Sequence, residues 1–204
     1  MFEAVLSSSM LGRAKEKGLV SYELIDLREF GLGPRRQVDD TPYGGGDGML
    51  LMIEPLVSAI EKAKASDPSA KVILPSPRGE TFKQSNAKTL VNEKGLIIVC
   101  PRYEGYDERV MNWIDQVYSI GNYVLTGGEL PAMVITDAVV RLIPGVLGGE
   151  NSTEIESFQD DDQNVEFPQY TRPEEFKDLT VPSVLLSGNH AEIESWRKDN
   201  SKKA

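Results

Sequence analysis

Three short apolar runs decide what this chain can fold into: AKVILP at 70–75, GLIIVC at 95–100 and VYSIGNYVL at 117–125. Each is shorter than an ordinary helix, and each gives way to a loop and then to residues at helical spacing. Apolar strands alternating with helices define a parallel α/β sheet covered on both faces. Ligands in such sheets collect beyond the carboxyl ends of the strands, so the loops at 75–79, 101–105 and 120–128 are expected to gather at one edge.

The third loop is the most telling. Gly121, Gly127 and Gly128 let backbone pass where side chains would collide, and Glu129-Leu130-Pro131 then opens a helix with an acid and a proline in its first turn. Met133, Ile135, Ala138, Val139 and Leu142 keep helical spacing and predict its core face. Upstream, residues 2–11 read as helix, Ser9 as the cap of a second short helix ending at Gly18, LVSYELID at 19–26 as an alternating strand, and Pro55 as the start of a helix through about Lys64. SPRGETFKQSNAKTL and RYEGYDERVMNWI each read as loop followed by helix. YGGGDGM at 43–49 fits an anion cradle or a flexible surface loop, and spacing alone leaves both open. No loop has the spacing of a dinucleotide or phosphate-loop fingerprint.

Composition narrows the chemistry. With one cysteine (Cys100) and one histidine (His190) in 204 residues, a disulfide framework, a cysteine zinc site and histidine-led triads are disfavoured, and a cytoplasmic, metal-independent protein is expected. A net charge of −10 argues against broad electrostatic coating of nucleic acid, but the charge is unevenly placed. Residues 149–167 hold seven acids and no base and read as a solvated linker. Arg35, Arg36, Lys83, Lys88, Arg102, Arg109, Arg141 and Arg172 lie outside it as candidate phosphate or base contacts. No apolar run reaches membrane-spanning length.

Six motifs then stand in one order: VDDTPYGGGDGML at 38–50, SPRG at 76–79, RYEGYDERV at 102–110, SIGNYVLTGGELPAM at 119–133, RLIPGVLG at 141–148, and QYTRP with VPSVLLSGNHAEI at 169–193. Over nearly its whole length the chain resembles the bacterial tRNA (guanine-N1)-methyltransferase (TrmD) family, which methylates the guanosine at position 37, beside the anticodon. The resemblance implies a SPOUT-class α/β domain at 1–148 with a deep trefoil knot, an acidic linker at 149–167 and a small α-helical carboxyl-terminal domain at 168–204. It also implies bent S-adenosylmethionine in the knot and a homodimer whose active site is shared between subunits.

Carried over by motif, the cofactor positions are Leu74, Pro75, Ser76 and Pro77, then Pro101, Tyr103, Glu104 and Gly105, then Ile120, Gly121, Asn122, Tyr123, Val124, Leu125, Gly127 and Gly128. Tyr43, Gly44, Gly45, Gly46 and Gly48 resemble the loop walling the guanine pocket, and Arg102 is expected to meet phosphate. Guanine N1 is a poor nucleophile until its proton leaves, which calls for a carboxylate base, while the charge that spreads to O6 calls for a cation. The family's arginine falls on Arg141, a position whose bare reading is a helix-end arginine. The family's base is the aspartate of Asp-Ser-Phe, where this chain reads Glu156-Ser157-Phe158. Glu154 and Asp160 are the alternatives.

Other departures are Pro101 for the usual glycine before RYEG and Gln169 for a histidine before YTRP. The resemblance also places an apolar strand ending in Leu-Phe-Pro upstream of Met1, and more helix beyond Ala204. These departures keep two rival expectations in view: a SPOUT enzyme acting on another RNA nucleoside, and a non-catalytic homologue that binds RNA or cofactor.

Overall fold

The computed structural model describes residues 1–148, 156–158 and 164–203, and the chain divides into two compact units, Met1–Gly148 and Gly149–Ala204. Two short helices, α1 (Phe2–Leu6) and α2 (Ser9–Glu16), open the first unit. Ser8, one residue earlier than expected, precedes α2, and its hydroxyl donates back to the Ala4 carbonyl at 2.7 Å instead of capping. Strands β1 (Asp39–Asp40) and β2 (Leu50–Leu51) pair antiparallel and bracket the glycine-rich loop.

The core of this unit is the parallel sheet that the sequence predicts. After α3 (Ile53–Ser66), β3 (Lys71–Thr81) runs between β4 (Leu96–Ile98) and β5 (Gln116–Ser119), both parallel to it, with α4 (Gln84–Leu90) connecting β3 to β4 and α5 (Glu129–Val140) following β5. Alternation along β3 assigns its faces. Val72 and Leu74 join a cluster with Leu56 and Ile60 of α3, whereas Ile73 joins one with Ala87 and Leu90 of α4 and Ile135 and Val139 of α5. All three strand residues are fully buried, and each contributes roughly 1.5–3 kcal/mol by leaving water. A third cluster packs Leu6, Leu11 and Ala14 against Val140 and Val146.

Three local expectations change. Residues 19–26 form no strand: Val20 and Tyr22 turn toward the third cluster, but among the described residues nothing pairs with their backbone, and Asp26 caps a 3₁₀ turn at Leu27–Phe30 by accepting from the Arg28 N–H at 2.9 Å. The expected loop after Pro75 is instead a continuation of β3, interrupted where Pro75 and Glu80 both stand opposite Tyr118 so that residues 76–79 are pushed out of register. Gly79 permits this because a Cβ there would lie 2.6 Å from the Val117 carbonyl oxygen. The helix after RYEG is a 3₁₀ segment, Glu108–Trp113, capped by Asp107.

The second unit mixes helix with short strand pairs, where the resemblance implied a helical domain. β6 (Asn164–Val165) pairs with β9 (Lys202–Lys203), β7 (Glu175–Phe176) with β8 (Leu179–Thr180), and α6 (Ser183–Leu186) precedes α7 (His190–Asn200). Trp196 packs on Tyr170 with ring centroids 6.2 Å apart, and the Arg197 guanidinium lies 4.8 Å over Phe167. His190 is the first residue of α7.

Candidate active site

The parallel register sets residues 74–77, at the interruption within β3, beside the carboxyl ends of β4 and β5, from which residues 101–105 and 120–128 continue. They are tied together. The Gly128 N–H donates to the Pro101 carbonyl at 2.7 Å, and Arg102 Nε donates to Glu129 Oε1 at 2.5 Å. Tyr106 Oη lies 3.4 Å from Ser76 Oγ. Arg78 forks onto both oxygens of Glu108 at 2.9 and 2.5 Å.

Backbone lines much of this edge. Leu74, Pro75 and Ser76 are buried and Pro77 is exposed; Asn122, Tyr123, Val124 and Leu125 project outward. At Gly128 a Cβ would collide with the Pro101 ring and lie 2.8 Å from its nitrogen. At Gly121, with φ near +144°, it would meet the Tyr123 ring at 2.5 Å. Ile120 packs into the α4–α5 cluster and anchors the loop from beneath. Glycines at 121 and 128 thus let the loops pack closely, backbone against neighbouring residues, and such an edge suits a ligand bound mostly through backbone groups.

The glycine-rich loop shares this framework. Leu51 N–H donates to Gly105 O at 2.9 Å, Glu104 N–H to Met49 O at 3.0 Å and Asp107 N–H to Leu51 O at 2.9 Å. Gly44, Gly45, Gly46 and Gly48 all take positive φ, and Tyr43 is fully exposed at the head of the loop. Tyr103 adopts φ near 61°, unusual for an aromatic residue. Loss of hydration, and then a hydrogen bond to Asp39, push its phenol above its ordinary pKa.

Of the two expected catalytic residues, Arg141 is half-buried and closes α5, its N–H donating to Asp137 O at 3.1 Å. Glu156 is also half-buried and belongs to the second unit; beside it Ser157 Oγ accepts from the Glu166 N–H at 3.1 Å. Glu154 and Asp160 lie outside the described residues. Arg102, expected at phosphate, has its guanidinium held by Glu129, which raises its pKa through the hydrogen bond and the adjacent charge. Cys100, at the end of the β4 run, is half-buried and has its thiol pushed up to about 12, chiefly by burial.

Sequence reading did not find Tyr106, Glu108, Glu129 or Asp39 as parts of this framework. Their partners lie between 27 and 64 positions away (Glu129 to Arg102, Tyr103 to Asp39), beyond any local pattern. Among the described residues no cluster of three or more His, Cys, Asp or Glu side chains is placed to hold a metal, and no helix is long and apolar enough to cross a membrane.

Comparison with known proteins identifies the class. The sequence profile of the family described as tRNA (Guanine-1)-methyltransferase TrmD matches residues 1–204. The chain is 52% identical over 202 residues to a tRNA (guanine-N(1)-)-methyltransferase of Geobacter sulfurreducens, covering 98% of this chain and 82% of the relative. It is 54% identical over 199 residues to one from Myxococcus xanthus, covering 97% and 80%. The crystal structure of the tRNA (m1G37) methyltransferase from Aquifex aeolicus superposes with a TM-score of 0.79 at 37% identity, covering 96% of this chain and 81% of that one. The chain therefore belongs to the TrmD family and is an enzyme of the tRNA (guanine-N1)-methyltransferase class, as the ordered motifs imply.

Proposed function

We propose that the protein transfers a methyl group from S-adenosylmethionine to N1 of the guanosine at position 37 in the anticodon arm of tRNA. It does so as a cytoplasmic homodimer with a shared site. The observation that carries this reading is the gathering of 74–77, 101–105 and 120–128 at one sheet edge, coupled through Gly105 and Leu51 to the glycine loop and present in a chain of this family.

Those three loops hold the cofactor, which supplies a methyl group already activated by a sulfonium. The chain's own residues then carry the remaining demands. Glu156 accepts the N1 proton. Arg141 faces O6 and stabilises the charge that forms there; losing such a donor typically costs about 3 kcal/mol of activation energy. The glycine loop from Tyr43 to Gly48 walls the guanine, read as a splayed single-stranded base. Glu156 in place of aspartate extends the reach by roughly 1.5 Å.

The first unit adopts the family's trefoil knot, and the second grips the tRNA. Dimerisation is supported by exposed apolar residues beside the sheet edge: Val124 at 89% exposure, and Leu130 and Val134 one turn apart on α5 at 48% and 49%. The test is direct. Incubation with a tRNA transcript and S-adenosylmethionine, then digestion to nucleosides, should yield 1-methylguanosine; another methylated nucleoside, or none, contradicts the proposal.

A further inference from the structure

The turn at residues 31–37, which the catalytic account leaves unused, is built as a rigid basic point. Leu32 and Gln37 exchange both backbone hydrogen bonds, at 2.8 and 2.9 Å, and the Arg36 N–H donates to Gly33 O at 3.1 Å. Gly31 lies so close beneath the Arg36 carbonyl that any side chain there would collide with it. Gly33 and Arg36 both take left-handed φ, near 64° and 50°. The tip therefore presents Arg35 and Arg36 in one backbone conformation, both exposed.

Their isolation is informative. In a chain of net charge −10, three other arginines of this unit, Arg78, Arg102 and Arg109, are each paired with an acid. Arg35 and Arg36 have no ion pair or side-chain hydrogen bond among the described residues. The nearest acids along the chain are engaged elsewhere: Asp39 with the Tyr103 phenol, and Asp40 with the Thr41 N–H at 2.8 Å. Arg28 is also exposed, and its charge acts on the Tyr103 phenol, so a third guanidinium faces the same framework. Two adjacent planar donors without acid partners match anionic oxygens that accept in pairs, as phosphates do.

Position supplies the target. Gln37 leads through Val38 into β1, Asp39 pairs with Leu51, and Leu51 bonds Gly105, so the tip is joined by a continuous ladder to the loops around the guanine. From Arg36 to Asp39 is three residues, roughly 10 Å of extended chain. We propose that the Gly33–Arg36 tip grips the RNA sugar-phosphate backbone flanking the methylated guanosine, with Arg35 and Arg36 each taking a phosphate. This rests on the tRNA-methyltransferase reading above.

The test compares binding of a fluorescent tRNA transcript by the wild type, by Arg35→Gln/Arg36→Asn, and by Arg35→Lys/Arg36→Lys, from about 50 to 200 mM salt. Asparagine tolerates the left-handed conformation at 36, so the neutral variant keeps the turn. The neutral variant should lose about tenfold or more in affinity near 0.1 M salt, and its slope of log K against log salt should flatten by roughly 1.5 to 2. Affinity for S-adenosylmethionine should be unchanged, and the lysine variant should keep most of the slope. An unflattened slope in the neutral variant, whatever its affinity, overturns the proposal while leaving the methyltransferase reading intact. If the wild type itself binds no transcript, that reading fails and this proposal fails with it.

Discussion

At position 101 a proline stands where the resemblance leads one to expect glycine, and its neighbours show what that exchange requires. The ring removes a backbone donor and also fills the space above Gly128, whose N–H still reaches the Pro101 carbonyl. Gly128→Ala should therefore weaken S-adenosylmethionine binding by tenfold or more and cost about 1–3 kcal/mol of stability, readable by calorimetric titration and denaturant midpoint. Next to it, Cys100 makes a pH-dependent prediction. Its folded-state pKa lies above the unfolded value, so its contribution is complete below the unfolded pKa and is lost as pH rises toward about 12. Wild-type stability should fall from about pH 9 upward more steeply than that of Cys100→Ala, by at most ~1.4 kcal/mol per pH unit. Equal slopes in the two proteins would contradict a buried neutral thiol. Arg141→Ala and Glu156→Gln should each abolish turnover while leaving donor affinity within about twofold, the pattern of groups that act on the transition state.

At the scale of elements, the parallel sheet was legible because VILP within AKVILP and LIIVC within GLIIVC are short unbroken apolar runs, and packing on both faces accounts for them. Ile73→Ala in β3 should cost about 2–5 kcal/mol, seen as a lower denaturant midpoint with unchanged slope. The segment 19–26 misled for a definite reason: alternation reports which side chains turn inward, and Val20 and Tyr22 do turn inward, but a strand also needs a partner backbone. The register shift in β3 was hidden as well, since it depends on Gly79 passing the Val117 carbonyl, a contact made across the sheet. The proposed cofactor loops and Arg141 came from ordered motifs; the links that hold the loops, Arg102 to Glu129 and Tyr103 to Asp39, join distant positions and had no local signal. The exposed Arg78–Glu108 pair adds little stability despite its two-pronged geometry, because solvent and salt screen it.

For the whole molecule, the proposed shared site places Arg141 in one unit and Glu156 in another, and it requires two chains. Val134→Glu, on the exposed face of α5, should shift sedimentation toward monomer and abolish methyl transfer together. A dimeric, fully active variant would move the interface elsewhere. Mixing Arg141→Ala with Glu156→Gln subunits should restore part of the activity that each lacks alone, because a mixed dimer holds one site with both wild-type groups. The most direct measurement of the central claim is incorporation of labelled methyl from S-adenosylmethionine into two tRNA transcripts differing only at position 37. The account predicts transfer to the transcript with guanosine there and none to that with adenosine; equal incorporation into both, or none into either, would contradict it.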